Sequence, residues 1–155
     1  MTVSIAWFLL FVPAVSAQSP PSPPPPPSQS PPPPEALYSQ QERVWNYITS
    51  SADGTMLAAV VYPGCIYTSV DAGSSWAQRA SSQFWQCITS SADGMMLAAV
   101  VYFGYIYTSA DAGTSWLQVA SSQAWQSISS SSNGTMLAAV VRGGFIYTSD
   151  NTGAS

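Results

Sequence analysis

The stretch that decides the fold is MLAAVVYFGYIYTSADAGTSW, residues 96–116. It opens on an apolar, β-branched run, turns at Gly104, resumes as Ile106–Ser109 and ends in a polar loop closed by Trp116. Copies flank it on both sides. "MLAAVV" stands unchanged at 56–61, 96–101 and 136–141, and "IYTS" at 66–69, 106–109 and 146–149. Trp45, Trp85 and Trp125 keep the same spacing (85 − 45 = 40; 125 − 85 = 40). A fixed period of this length marks one supersecondary unit stacked on copies of itself.

Each unit reads as four short strands. In the first unit they run from Trp45 to Thr49, Met56 to Tyr62, Ile66 to Ser69 and Trp76 to Arg79. Trp45 and Ile48 are three apart, which plain alternation does not give. Either Trp45 lies in the connector or the strand carries a bulge. "SADG" (51–54) reads as a two-residue hairpin turn, because Asp and Gly both accept positive φ. The Met56–Tyr62 run is apolar throughout and should be buried on both faces. Gly- and Ser-rich turns leave no window long enough for a periodic helix. Four antiparallel strands in about 40 residues make one blade of a β-propeller. A solenoid is the rival; blade length and strand count favour an all-β partial propeller, about three blades with the last incomplete.

The loops after the third strands sharpen this. "SVDAGSSW" (69–76) and "SADAGTSW" (109–116) share Ser-x-Asp-x-Gly-x-Ser-Trp, while "SDNTGAS" (149–155) puts Asn151 at the Asp position. The pattern resembles the Asp-box, or bacterial neuraminidase repeat, of sialidases, sortilin-type receptors and the photosystem II stability and assembly factor family. The resemblance implies a propeller and says little about activity. In physical terms Asp71 and Asp111 can accept from N–H groups two residues on, and Gly73, Gly113 and Gly153 supply the unusual φ. Ser69, Ser75, Ser109, Ser115 and Ser149 can close the loops, and Trp76 and Trp116 bury apolar area beneath them. A calcium loop needs several oxygen ligands, and each loop offers one carboxylate. The loops therefore read as turn devices, with no metal and no cofactor.

Chain direction places the Asp-Gly turn and this loop at one face, and the loop after the buried strand and the blade-to-blade link at the other. Between copies the second set varies: "YPGC" (62–65), "YFGY" (102–105), "RGGF" (142–145). Tyr62, Pro63, Tyr102, Phe103, Tyr105, Arg142 and Phe145 are thus the candidate binding face. Packing against a neighbouring blade is the competing role, since aromatic rings serve both ends.

A sialidase-like hydrolase is tested residue by residue. Such enzymes resemble one another in three clustered arginines, a tyrosine nucleophile with its glutamate, and an acidic acid/base residue. Here Arg43, Arg79 and Arg142 hold unrelated repeat positions, Glu35 and Glu42 precede the repeats, and the remaining acids are turn aspartates. Glycoside hydrolysis usually needs two positioned carboxylates. With no histidine in the chain, a Ser-His-Asp set is excluded. The expectation is a protein that binds and is not an enzyme.

The rest of the chain suggests where it works. "SIAWFLLFV" (4–12) is too short to span a bilayer and is followed by Pro13 and the small residues Val15-Ser16-Ala17, a signal peptide pattern cut after Ala17. "QSPPSPPPPPSQSPPPP" (18–34) lies in a polyproline II linker assigned to 18–36. Its Ser-Pro-Pro blocks resemble hydroxyproline-rich wall glycoproteins of plants and green algae, the extensin and pherophorin type. That resemblance implies hydroxylated, glycosylated prolines, a cell wall or extracellular matrix, and wall or matrix glycans or glycoproteins as partners. A lumenal photosystem II assembly role would need a transit leader, and the Arg-rich character of one is missing. The formal net charge of −4 and the absence of lysine argue against nucleic acid, and no further run is long and apolar enough for a membrane. Asn133-Gly134-Thr135 is a glycosylation sequon. Cys65 and Cys87 are an even pair for an oxidising compartment, yet they belong to different blades; a disulfide and two free thiols both stay open. The repeats, assigned to 37–155, amount to two complete blades and part of a third. Propellers close with four to eight, so either further blades or self-association completes the ring.

Overall fold

The computed structural model describes residues 42–154. The expected signal peptide (1–17) and Pro-rich linker (18–36) lie outside the described residues. Nine strands follow one another: β1 (Trp45–Ser50), β2 (Leu57–Val61), β3 (Gly64–Ser69), β4 (Ala77–Gln83), β5 (Trp85–Ser90), β6 (Leu97–Ser109), β7 (Leu117–Ser130), β8 (Leu137–Val141) and β9 (Ile146–Ser149). Strands β1–β4 form one antiparallel sheet and β5–β9 another, each in sequence order.

The repeat explains the unequal sheets. Strand β6 spans the positions of β2 and β3 moved by one period (97 − 57 = 40; 109 − 69 = 40), and β7 those of β4 and β5 (117 − 77 = 40; 130 − 90 = 40). The second sheet therefore contains a four-stranded blade and the first three strands of the next. The architecture is a partial β-propeller of three blades, the third carrying its strands from β7, β8 and β9.

A bulge settles the spacing of Trp45 and Ile48. Trp45 faces Val61 while Tyr47 faces Val60, so the ladder slips by one between them. The same slip recurs at Trp85/Cys87 and at Trp125/Ser127. It brings the tryptophan and the isoleucine three residues later into one cluster: Trp85 with Ile88, and Trp125 with Ile128.

The Asp-Gly turn departs from expectation. It is a wider loop in which Ser51 N–H donates to Met56 O at 2.8 Å and Gly54 N–H to Ser51 O at 3.1 Å. Gly54 has a φ of 74°, and Asp53 is not in the left-handed region. The reason is the side chain: the Asp53 carboxylate accepts from Ser51 Oγ at 2.6 Å and from Thr55 N–H at 3.0 Å, which holds the loop open. Strand β4 also begins after Trp76 and runs past Arg79 to Gln83.

The core lies between blades. The pleat sends alternate side chains of one strand to opposite faces. On one face of the second blade Trp85, Ile88, Leu97, Ala99 and Val101 meet Ala58, Val60 and Ile66 of the first. On the other, Cys87, Ala98, Val100 and Ile106 meet Trp125, Ile128, Leu137 and Ala139 of the third. Trp85 is fully buried, with Tyr107 edge-on at 5.2 Å and its Nε1–H donating to Ser81 O at 3.2 Å. Burying an indole removes roughly 150–250 Å² from water, a gross gain of about 4–6 kcal/mol at ~25 cal/mol per Å².

Replacing Trp85 by Ala should therefore destabilise the fold by about 3–5 kcal/mol, read as a lower urea midpoint. Phe103→Ala, at a ring that is 71% exposed, should stay within about 0.5 kcal/mol. Equal losses would contradict a core built between blades.

Candidate functional site

Hydrogen bonds sort the loops into two rims. At one, the loop after each third strand is tied to the turn after each first strand: Ala72 N–H to Thr55 O at 2.8 Å, Ala112 N–H to Met95 O at 3.0 Å, Thr152 N–H to Thr135 O at 2.9 Å. At the other, the turn after the buried strand is tied to the link between blades. Tyr62, Tyr102 and Arg142 donate their N–H groups to Val44, Phe84 and Ala124 carbonyls, each at 2.9 Å.

At the first rim every complete loop is built around a carboxylate. Asp71 Oδ1 accepts from Ser69 Oγ at 2.8 Å and from Ser75 N–H at 2.8 Å, and Oδ2 accepts from Ser75 Oγ at 2.6 Å. Gly73 N–H donates to Ser69 Oγ at 2.9 Å. Asp111 repeats this with Ser109 and Ser115, and Gly113 N–H reaches Ser109 Oγ at 2.8 Å. The reach is four residues, twice the expected two. Ala112 (φ 55°) and Gly113 (φ 83°) are successive left-handed residues, and they fold the chain back so that Ser115 meets the carboxylate. Trp116 is half-buried and donates its Nε1–H to Gly113 O at 2.9 Å. In the third loop Asn151 Oδ1 accepts from Ser149 Oγ at 2.7 Å and from Ala154 N–H at 3.1 Å, and Gly153 N–H reaches Ser149 Oγ at 2.9 Å.

These bonds set the acidity of the rim. The Ser75 hydroxyl, then its N–H, then the Ser69 hydroxyl lower Asp71 to about 2. Ser115 and Ser109 act alike on Asp111, also lowered to about 2. The Ser51 and Ser91 hydroxyls lead in lowering Asp53 and Asp93. Carboxylates held this far down stay ionised, whereas an acid or base working near neutrality needs a pKa close to its operating pH. Among the described residues no three His, Cys, Asp or Glu side chains gather into a group able to hold a metal. Asn133 lies exposed on this rim, its Oδ1 accepting from Ser131 Oγ at 2.6 Å and from the sequon's Thr135 Oγ at 2.9 Å.

The opposite rim carries the aromatic residues. Tyr62 packs against Phe84 with ring centroids 5.5 Å apart, and Tyr102 against Phe103 at 4.3 Å. Arg142, from the next blade, donates an Nη1–H to Tyr102 OH at 3.5 Å. Phe103, Phe84 and Phe145 are 71%, 53% and 77% exposed, and Pro63 and Tyr105 are exposed beside them. Phe84 was outside the face expected from sequence. Its signal was positional: the residue before each blade tryptophan is Val44, Phe84 or Ala124, so it varies as the neighbouring tips do.

Cys65 and Cys87 are free thiols. Cys65 Sγ accepts from Gln78 Nε2 at 3.3 Å within the first blade, while Cys87 is buried toward the third, 3.7 Å from Ile128 O. A cleft of about 240 Å³ opens between the second and third blades, lined by Ile106, Val119, Trp125, Leu137, Tyr147 and Gly153 among others. It lies one repeat on from the space where Trp116 packs 6.2 Å from Trp85. Its lining includes no charged side chain.

No family model matches the chain, and no curated protein matches it in sequence. Solved structures do match. The chain is similar to YCF48 from Cyanidioschyzon merolae (TM-score 0.64, 20% identity, 75% of this chain and 37% of that one). It is also similar to YCF48 bound to a D1 peptide (0.62, 16%, 73% and 38%). A GH74 enzyme of Niastella koreensis (0.57, 23%, 70% and 17%) and the β-propeller domain of Myceliophteria thermophila Cps50 (Swd1) (0.61, 14%, 72% and 36%) share the fold as well. The chain thus spans less than two fifths of the length of each of these structures. At these identities the likeness is one of fold: a β-propeller.

The carboxylate rim makes stability depend on acid. A carboxylate at about 2 in the folded chain and near its ordinary value of 3.8 when unfolded stabilises the fold above that higher value. The contribution is lost as pH falls from about 4 toward 2. Melting temperature should be flat above that window and drop within it, and an Asp71→Asn, Asp111→Asn double variant should show a shallower drop. An unchanged slope in the double variant would remove these two groups as the cause.

Proposed function

We propose that this protein is a secreted, non-catalytic propeller module of a cell wall or extracellular matrix, binding glycans or glycoproteins through its aromatic rim. The observation that carries the proposal is the division of labour between rims. Asp53, Asp71, Asp93 and Asp111 are each committed to hydroxyl and backbone N–H donors within their own turns. Exposed rings, by contrast, cluster at the rim whose sequence differs from copy to copy. Paired rings such as Tyr102 and Phe103, with the Arg142 guanidinium beside them, offer apolar area and donors together, the combination favoured at recognition surfaces. The loops at the other rim match the Asp-box pattern, which fits a structural role. The leader and Pro-rich linker support delivery outside the cell.

The fold likeness to YCF48 favours a second reading, a lumenal photosystem II assembly factor-like protein. One of those structures holds a D1 peptide, and in that reading the same rim would take a peptide. The likeness to a GH74 enzyme keeps a glycosidase-like origin in view. The turn-bound carboxylates speak against hydrolysis here, since that chemistry needs a positioned pair.

An array of wall and matrix glycans, probed with the full chain, tests the proposal. Binding should appear and should fall at least about tenfold in Phe103→Ala and Phe84→Ala, the size expected of central aromatic contacts. The melting temperature should not change. Binding that survives both substitutions would move the site away from this rim; binding only to extended peptides would favour the second reading.

A further inference from the structure

The aromatic rim is not built alike from blade to blade. Tyr62, Tyr102 and Arg142 share one repeat position, and the next position holds Pro63, Phe103 and Gly143. Gly143 takes a φ of 69° there, and Phe103 takes 52°. That left-handed backbone suits glycine and disfavours a side chain as bulky as phenylalanine. The ladder shows the reason for it. Tyr102 faces Ala124 and Gly104 faces Gln123, so Phe103 is the extra residue of a bulge in β6, at a place glycine commonly fills. Burial does not offset the strain: Phe103 is exposed, and its ring contact is with its own neighbour Tyr102. A strained, exposed aromatic residue that the turn itself does not need points to a use outside the fold.

The surroundings of Phe103 differ as well. One repeat earlier, Phe84 packs against Tyr62 at 5.5 Å. Ala124 holds the Phe84 position and is too short to cover Tyr102 in the same way. Instead the Tyr102 ring has the Phe103 phenyl at 4.3 Å, and its hydroxyl oxygen accepts from Arg142 Nη1–H at 3.5 Å. A phenyl, a phenol and a guanidinium thus stand in succession where the second blade meets the third. The Ser122 hydroxyl donates to Phe103 O at 3.3 Å and ties the bulge to the strand beside it. Charge is sorted between the rims too. Every described aspartate lies in a loop of the carboxylate rim, and the described Glu42 precedes the first blade. Arg142 therefore stands on a rim without aspartates.

We infer that this junction binds a sugar acid, a pyranose that carries a carboxylate. The apolar face of the sugar ring lies on the Phe103 phenyl. The carboxylate meets the Arg142 guanidinium, whose planar set of donors matches it, and the Tyr102 hydroxyl stands between them, within reach of the ring hydroxyls. The phenyl has no polar handle and stands out from the rim, so it serves as a platform for a flat-faced ring rather than as a pocket for a side chain. The inference rests on the reading of this rim as a glycan-binding surface and adds the class of glycan, an acidic one of the polyuronate kind. A neutral glycan would leave the guanidinium without a role.

Calorimetry on the full chain with two matched probes tests this: an oligogalacturonate, and the same oligomer with its carboxylates reduced to alcohols. The acidic probe should bind at least about tenfold tighter, the size expected of a hydrogen-bonded charge, and its affinity should fall with added salt. Arg142→Gln should erase the difference between the probes. Phe103→Gly should weaken the acidic probe at least about tenfold while the melting temperature holds or rises, because glycine relaxes the left-handed bulge. Phe103→Tyr should keep the binding. Equal affinity for the two probes, or none for either, overturns the inference. The glycan reading then stands if the chain still binds other glycans on an array, and falls with the inference if it binds none. A preference that survives Arg142→Gln, or a Phe103→Gly chain that keeps its affinity or melts lower, also overturns the inference.

Discussion

A blade of this chain cannot cover its own central strand, and the rest of the structure follows from that. Leu-Ala-Ala-Val-Val is apolar at every position, so the pleat presents apolar side chains to both sides at once. In the second blade all five, Leu97 to Val101, are at most 5% exposed. Covering them takes a neighbour on each side: Ala58, Val60 and Ile66 of the first blade on one face, and Trp125 and Ile128 of the third on the other. The two alanines of the strand, one on each face, leave room beside an indole: Ala58 and Ala99 share a cluster with Trp85, and Ala98 and Ala139 share one with Trp125. Stability in such an array comes as a sum over interfaces rather than from a single centre.

With the interior committed to stacking, variation is confined to the rims, and they use it differently. The carboxylate rim is nearly self-sufficient. Each aspartate finds donors inside its own turn, so the rim can repeat without reference to anything outside. The aromatic rim holds side chains that nothing in the chain requires. Tyr62, Tyr102 and Arg142 share one position and one backbone bond, yet present a phenol, a second phenol and a guanidinium. Where backbone constraint is constant and side-chain chemistry is not, selection for something other than folding has room to act.

The sequence disclosed what depends on periodicity and hid what depends on local reach. The 40-residue period, the buried strand and the succession of four strands were legible because each is written three times or nearly so. The bulge at Trp45 was half legible: a spacing of three against alternation signals an irregularity without saying which. The turn at Ser51–Gly54 differs from the expected hairpin because Asp-Gly is a strong hairpin pair when its side chains are idle, and Asp53 is hydrogen-bonded to Ser51 and Thr55. The reach of Asp71 to Ser75 was likewise hidden, since it depends on Ala72 entering the left-handed region, a conformation that composition does not advertise. Phe84 is hard to read from sequence because it sits on the link, one residue before the periodic tryptophan. The fate of Cys65 and Cys87 could not be read at all, because facing directions of strands in different blades are set by packing.

The backbone bonds that run between turns have a mechanical meaning. Ala52 N–H donates to Ala92 O at 2.8 Å, and Ala92 N–H to Ser132 O at 2.7 Å. Each blade is stitched to the next at the carboxylate rim, main chain to main chain, so the backbone itself helps to gauge the pitch of the stack there. Adding or removing one residue in the Ser51–Met56 turn would be passed along as an error in spacing. The main-chain bonds of the turns at the aromatic rim stay within their own blade and its lead-in. Those turns can lengthen or shorten without moving a neighbour, which makes that rim the place where insertions are tolerated and new contacts are acquired.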